Sequence, residues 1–174
     1  AGYIGSHTVS ELKKNGEDVI VADNFKNGHR EAVSDCKTFE GDLRDIEFLN
    51  KIFKESNVEA VIHFAANIEV GESTKAPLKY YNNNVCGTLN LLQAMQQNKV
   101  AKIVFSSTAA VYGEPENIPI LETDKTEPTN PYGETKLCIE KALHWADQAY
   151  GIKYKILRYF NASGAHIDGQ IGED

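Results

Sequence analysis

Short apolar runs alternate with segments of helical spacing along nearly the whole chain, and that alternation leaves few folds open. Residues 18–24 (DVIVADN), 37–40 (KTFE), 60–66 (AVIHFAA), 102–107 (KIVFSS) and 153–161 (KYKILRYFN) read as strands. Apolar runs that do not alternate with polar residues are expected of strands covered on both faces. Helices are predicted over residues 4–15, ended by Gly16, and over 46–56, where Phe48, Leu49, Ile52 and Phe53 share one stripe. Two more are predicted after Pro77, through 78–98, and after Asn130, through 131–151. Strands separated by helices imply right-handed βαβ units, hence an α/β fold with a doubly wound parallel sheet of Rossmann-like type. One such domain is expected over 1–174. Residues 113–129, with Pro115, Pro119 and Pro128, form the one long irregular stretch. A loop of that length inside a compact domain is often functional.

Composition removes several function classes. A formal net charge of −7 argues against nucleic acid or an anionic membrane as the main partner. No apolar run approaches the roughly 20 residues of a membrane span, and no basic-then-apolar leader opens the chain. Cys36, Cys86 and Cys138 are odd in number and widely spaced, which favours reduced thiols and a cytoplasmic protein over a disulfide framework. The five histidines are scattered without metal-ligand spacing, so no metal is expected. His63, alone in an apolar strand, reads as a satisfied core residue, and Lys102, Lys153 and Lys155 as solvated strand ends.

The opening AGYIGSH runs straight into a helix, with glycines at Gly2 and Gly5. A dinucleotide-binding unit places a strand and an earlier glycine before such a turn. Neither is present, so the chain is expected to be a fragment lacking its first strand, with two inner sheet edges left open. Gly2 and Gly5 fit either close packing or a phosphate cradle at the helix start. Asp23 ends the next strand, about 20 residues on, where a carboxylate would bond a ribose 2′-OH and favour NAD over NADP. It would equally cap a turn there. Asp42 also follows a strand at the carboxyl edge, where open α/β sheets bind ligands. Residues 63–67 (HFAAN) end a strand in small residues, which suits either a flat ligand or packing.

NPYGETK, residues 130–136, is a helix start with Asn130 as N-cap and Pro131 at the first helical position. Tyr132 and Lys136 are four residues apart and share a face. A free tyrosine, with a pKa near 10, is a poor base at neutral pH. An ammonium one turn away, with the positive ring of an oxidised nicotinamide, would favour the phenolate and make it a usable acid/base. A hydroxyl from Ser106, Ser107 or Thr108, at the end of the neighbouring strand, would orient a substrate oxygen. Alternatively Tyr132 opens a buried stripe continued by Ile139, Leu143 and Ala146, with Lys136 snorkelling to water.

GYIGSH, ADN, GDLRD, HFAA, YYNNNVCGTLNLL, FSSTAAVYG, NPYGETK and RYFNASGAHIDGQIGED together resemble the extended short-chain dehydrogenase/reductase family, over the whole chain. Tyrosine followed by lysine four residues on is that superfamily's hallmark. RYFN followed by GAH and GED is similar to its branch of sugar-nucleotide 4-epimerases. The resemblance implies an isomerase that interconverts UDP-galactose and UDP-glucose. A proton leaves the 4-OH as C4 hydride passes to tightly bound NAD, the 4-keto sugar turns over, and hydride returns to the opposite face.

It also implies roles. Tyr132 would be the catalytic base, Lys136 its pKa-lowering and ribose-binding partner, and Thr108 the hydroxyl that orders the 4-OH. Gly2, Tyr3, Ile4 and Gly5 would lie at the pyrophosphate, Asp23 and Asn24 at the adenosine ribose, and Asp42 and Leu43 at the adenine. Phe64, Ala65, Ala66, Asn83 and Ser106 would line the cofactor, with Phe160 near the nicotinamide. Asn161 would meet the phosphate of the UDP-sugar. A substrate-binding domain downstream and a homodimer built on the long helices after Pro77 and Pro131 are further expectations. Some epimerases place a lysine where Ile68 stands, and Thr108 replaces a commoner serine but keeps the hydroxyl. Two rival readings remain. One is a sugar-nucleotide 4,6-dehydratase, although Ala109 and Ala110 stand where those enzymes tend to carry Asp-Glu. The other is a non-catalytic dinucleotide-binding module on the same fold.

Overall fold

The structure is a computed structural model and describes residues 1–173. It divides into two compact units, Ala1–Asp42 with the chain from Asn161 onward, and Leu43–Phe160.

In the first unit, helix α1 (Tyr3–Lys14) is followed by strands β1 (Ile20–Asp23) and β2 (Lys37–Glu40), with a short 3₁₀ turn at Glu31–Val33 between the strands. The strands pair in parallel from Ile20 opposite Lys37 to Asp23 opposite Glu40. Lys13 and Lys14 sit in the last turn of α1, where cations complement the helix dipole. At its other end Gly2 is extended and no side chain caps the helix. The Tyr3 hydroxyl donates to the Gly164 carbonyl at 2.6 Å, tying the end of the chain to α1 within this unit.

The second unit carries α2 (Ile46–Glu55), β3 (Val61–His63), α3 (Val70–Lys75), α4 (Pro77–Tyr80), α5 (Gly87–Gln97), β4 (Lys102–Thr108), α6 (Pro131–Tyr150) and β5 (Lys153–Tyr159). All strand pairings are parallel, in the order β3-β4-β5. The Asp45 carboxylate caps α2 by accepting from the amides of Glu47 and Phe48, at 3.0 and 3.2 Å. Leu49 of α2, Leu91 and Met95 of α5, Ile103 and Phe105 of β4, and Ile139 and Leu143 of α6 close one buried apolar cluster. Burying a Leu- or Phe-sized side chain contributes roughly 1.5–3 kcal/mol. This cluster therefore fixes where β4 and α6 present their polar ends.

The parallel, helix-linked architecture agrees with the sequence reading, with three differences. The run after Pro77 is not one α-helix, because Tyr81–Cys86 forms a wider π turn between α4 and α5. The six-residue α3 was not predicted. Its VGESTK sequence, with a glycine and two β-branched residues, has little helix propensity of its own. Tertiary contacts hold it, since the hydroxyl of the buried Tyr80 shares its one proton between the Glu69 carbonyl at 2.8 Å and the Glu72 carboxylate at 2.9 Å. The strand predicted over 60–66 shrinks to Val61–His63, the three residues that pair with β4. Among the described residues β3 pairs only with β4, and β1 only with β2. None of the described helices is long and apolar enough to cross a membrane.

Candidate active site

The site is built where the start of α6 meets the carboxyl end of β4. Asn130 accepts from the Gly133 amide at 2.8 Å, and Pro131 occupies the first helical position, as the sequence predicts. Gly133 permits a close approach here, because a Cβ on it would lie 2.7 Å from the Ala110 carbonyl oxygen. Helix and strand end are thereby brought together around Tyr132, Lys136 and Thr108.

Lys136 does not snorkel. It is 2% exposed, its ammonium donates to the Ser106 carbonyl at 2.7 Å, and it lies 4.9 Å from the Phe105 ring centre. Burial pushes its pKa down from 10.5 to about 7. The Tyr132 ring centre is 5.9 Å from the same nitrogen. Burial of Tyr132 raises its pKa, and a smaller opposing effect comes from a hydrogen bond with the Thr108 hydroxyl. Within this chain burial is thus the larger influence on the phenol. In the chain itself desolvation acts first on both groups, holding Tyr132 protonated and weakening the charge on Lys136. The Thr108 oxygen already accepts from the Ala110 amide at 3.1 Å, so its own proton is available to the phenol oxygen.

A second, buried network lies behind this pair and was not legible in the sequence. Asn84, in the π turn, is 1% exposed. Its amide group donates to the Asn67 carbonyl at 3.0 Å and to the Thr135 hydroxyl at 3.1 Å, and its oxygen accepts from the Asn67 amide at 2.8 Å. Thr135 in turn donates to the Tyr132 carbonyl at 2.7 Å. Thr88 gives its proton to the Asn84 carbonyl at 2.6 Å, so His63 Nε2, 2.8 Å away, must be the donor to Thr88. Burial first, and the nearby Lys136 second, push the His63 pKa down to about 3. The expected core histidine is therefore neutral and satisfied. A π turn inside a helix often marks a functional site, but no sequence period announces one.

The other expected residues distribute as follows. Phe64, Ala66, Asn83 and Ser106 are half-buried in the second unit, while Ala65 and Phe160 are exposed there. Leu43 packs toward Gly87, 3.2 Å from where a Cβ on that glycine would stand. Ile68 is exposed. In the first unit, Gly2, Tyr3, Ile4 and Gly5 form the uncapped start of α1, and nothing lies within 4 Å of a Cβ placed on Gly2. Asp23 does cap a turn, with one oxygen accepting from the Phe25 amide at 2.8 Å. Asn24 does the same for Lys26 at 3.1 Å. Asp42 is half-buried and Asn161 exposed. Among the described residues no cluster of metal-binding side chains occurs.

This arrangement of tyrosine, buried lysine and strand-end hydroxyl over a parallel sheet is accompanied by a match of residues 1–173 to the NAD dependent epimerase/dehydratase family. The chain belongs to that family. It is 60% identical to the UDP-glucose 4-epimerase of Halalkalibacterium halodurans over 174 residues, all of this chain and 52% of that protein. It superposes on the crystal structure of UDP-glucose 4-epimerase from Brucella ovis in complex with NAD with a TM-score of 0.98 at 47% identity, covering 100% of this chain and 54% of that one. The enzyme from Bifidobacterium longum in complex with NAD+ and UDP gives a TM-score of 0.96 at 42% identity, covering 100% and 55%. The chain thus spans about half the length of the relatives it matches.

Proposed function

We propose that this chain supplies the dinucleotide-binding and acid/base part of an isomerase that interconverts UDP-galactose and UDP-glucose. The observation that carries the reading is the Thr108–Tyr132 hydroxyl pair set beside a lysine buried with no carboxylate partner among the described residues. A purely structural helix start has no use for so costly a lysine. A non-catalytic dinucleotide-binding module would have as little use for the hydroxyl pair.

The residues present fit NAD. In the first unit, α1 begins without a side-chain cap, leaving backbone N–H groups for a pyrophosphate at Gly2, Tyr3, Ile4 and Gly5. Asp23 and Asn24 would take the adenosine ribose, with Asp42 and Leu43 at the adenine. A carboxylate at position 23 repels a 2′-phosphate, and the nearby Arg30 is already paired with Glu40, which together favour NAD over NADP. In the second unit, Phe64, Ala65, Ala66, Asn83, Ser106 and Phe160 would line the nicotinamide half, and Lys136 would bind its ribose. When bound, NAD supplies a hydride acceptor that later returns the hydride, and its positive ring favours the phenolate.

The chain's own residues would act at the sugar 4-OH. Tyr132 takes the hydroxyl proton at its phenol oxygen and returns it after the 4-keto sugar has turned over. Thr108 orients the 4-OH and stabilises the phenolate by donating to it. Asn161 would hold a phosphate of the UDP-sugar. A dehydratase is disfavoured because Ala109 and Ala110, half-buried after β4, offer no acid/base for loss of water.

The test uses protein expressed from the entire reading frame, incubated with UDP-galactose without added NAD and followed by NMR of the sugar signals. Appearance of UDP-glucose is expected. Oxidised, dehydrated or untouched sugar would overturn the assignment. A homodimer is part of the same reading: Tyr81, Cys86 and Leu89 on the π turn and α5, and Trp145 on α6, are exposed and would pack against a second copy. Sedimentation of the full-length protein tests this, and a monomer at micromolar concentration would refute it. The three cysteines are free, in keeping with a cytoplasmic setting.

A further inference from the structure

A buried ion pair lies one turn deeper in the second unit than the acid/base groups, and the mechanism above does not use it. Glu140 follows Lys136 by four residues on α6, so it stands on the same face. Its side chain is 6% exposed and that of Arg158, on β5, is 23% exposed. The guanidinium binds both carboxylate oxygens, Nε to Oε1 at 3.1 Å and Nη2 to Oε2 at 2.7 Å. Oε1 also accepts from the Ser107 hydroxyl. The remaining arm of Arg158 donates to the Tyr112 hydroxyl at 2.8 Å and to the Glu122 carbonyl at 3.3 Å, and the guanidinium lies 4.8 Å from the Tyr112 ring centre.

What this pair joins is informative. Ser107 stands between Ser106, whose carbonyl receives Lys136, and Thr108, whose hydroxyl meets Tyr132. Arg158 belongs to the strand that leads to Phe160, and Tyr112 and Glu122 lie on the segment that follows β4. The one carboxylate thus ties together α6, the end of β4 and the end of β5, three elements whose mutual register sets the geometry of the site. The apolar cluster brings these elements together, and a bidentate arginine–carboxylate pair adds a directional constraint on their register. An ion pair this buried contributes little to stability for what it costs in desolvation, so a role in specifying geometry is the better account of it.

We propose that Glu140, held by Arg158 and linked through Ser107, is a positioning residue that sets Thr108 and the Ser106 carbonyl against Tyr132 and Lys136. The proposal rests on the acid/base reading of that site. It concerns geometry rather than proton transfer, so Glu140 and Arg158 touch neither substrate nor cofactor.

The test uses full-length protein and two variants. Glu140→Leu combined with Arg158→Met removes both charges while keeping similar volume, a change that folded proteins commonly tolerate. Ser107→Ala cuts only the link to β4. Folding is checked by circular dichroism and thermal melting, turnover with UDP-galactose, and the Tyr132 phenol by NMR of ¹³Cζ-labelled tyrosine, assigned with Tyr132→Phe. In the folded double variant kcat is expected to fall about 100-fold, as for a misplacement of the order of 1 Å, with KM nearly unchanged. Ser107→Ala should cost about tenfold in kcat, the loss of one hydrogen bond to a charged carboxylate. In both the Tyr132 signal should move and its titration midpoint rise as the Thr108 contact loosens. Wild-type kcat with an unmoved phenol signal in the folded double variant would overturn the proposal. Should the double variant not fold, the same result in Ser107→Ala would overturn it. If the wild-type protein leaves UDP-galactose untouched while the variants still shift the phenol signal, the positioning role stands and the substrate reading fails.

Discussion

Replacing Lys136 with methionine should make the protein more stable at neutral pH while removing its activity. Methionine has nearly the length of the lysine stem and no charge to desolvate. The folded-state pKa of Lys136 is depressed from 10.5 to about 7 by burial. That displacement corresponds to a cost of about 5 kcal/mol for holding the charged form inside. Against this, the variant leaves the Ser106 carbonyl without its donor, a loss of about 1–3 kcal/mol. The net expectation below pH 7 is a gain of about 2–4 kcal/mol. The wild-type protein should also show a pH signature that the variant lacks. Between pH 7 and 10.5 the unfolded lysine binds a proton that the folded one has lost, so stability rises with pH across that window. For a single such group the rise from pH 7 to 9 is about 2 kcal/mol. Urea unfolding of the apoprotein, full-length, at pH 6, 7, 8 and 9 measures both quantities. Parallel pH profiles for wild type and Lys136→Met, or a variant less stable than wild type at pH 6, would refute the claim that this lysine is buried at an energetic cost.

Other expectations can be checked directly. Tyr132→Phe should keep the fold and lower turnover of UDP-galactose by at least about 100-fold, the usual worth of a positioned acid/base; Thr108→Ser should keep most activity and Thr108→Val little, since only the hydroxyl is used. Asn84→Ala leaves both backbone groups of Asn67 and the Thr135 hydroxyl short of a partner, and should destabilise by about 2–4 kcal/mol in urea unfolding. Gly113→Ala should destabilise by about 3 kcal/mol or more, because Gly113 has φ +64° and an added Cβ would fall 2.0 Å from the Glu127 carbonyl oxygen. Asp23→Ser should narrow the preference for NAD over NADP in a binding titration of the full-length protein, and an unchanged ratio would remove Asp23 from the ribose.

Much of this protein follows from local rules. Apolar runs bounded by turn residues gave the parallel strands, and Asn130 with Pro131 fixed the start of α6 to the residue. Helical spacing then required Tyr132 and Lys136 to share a face, and one hydroxyl of residues 106–108 to end the adjoining strand. The Tyr132–Lys136 spacing and the RYFN and GAH segments were enough to suggest the family. Three-dimensional contacts decided the rest. Whether Lys136 snorkels or is buried depends on Phe105 and the Ser106 carbonyl, which are distant in sequence, and the burial that acts on both lysine and phenol is set by the same packing. The π turn at Tyr81–Cys86 has no period to betray it, and its Asn84 becomes a hub only when the Asn67 backbone and Thr135 are folded against it. Glu140 and Arg158 read in the sequence as two ordinary charges 18 residues apart. Only the packing of α6 on β4 and β5 makes them one buried pair, because desolvation is a property of the assembled interior and not of any segment within it.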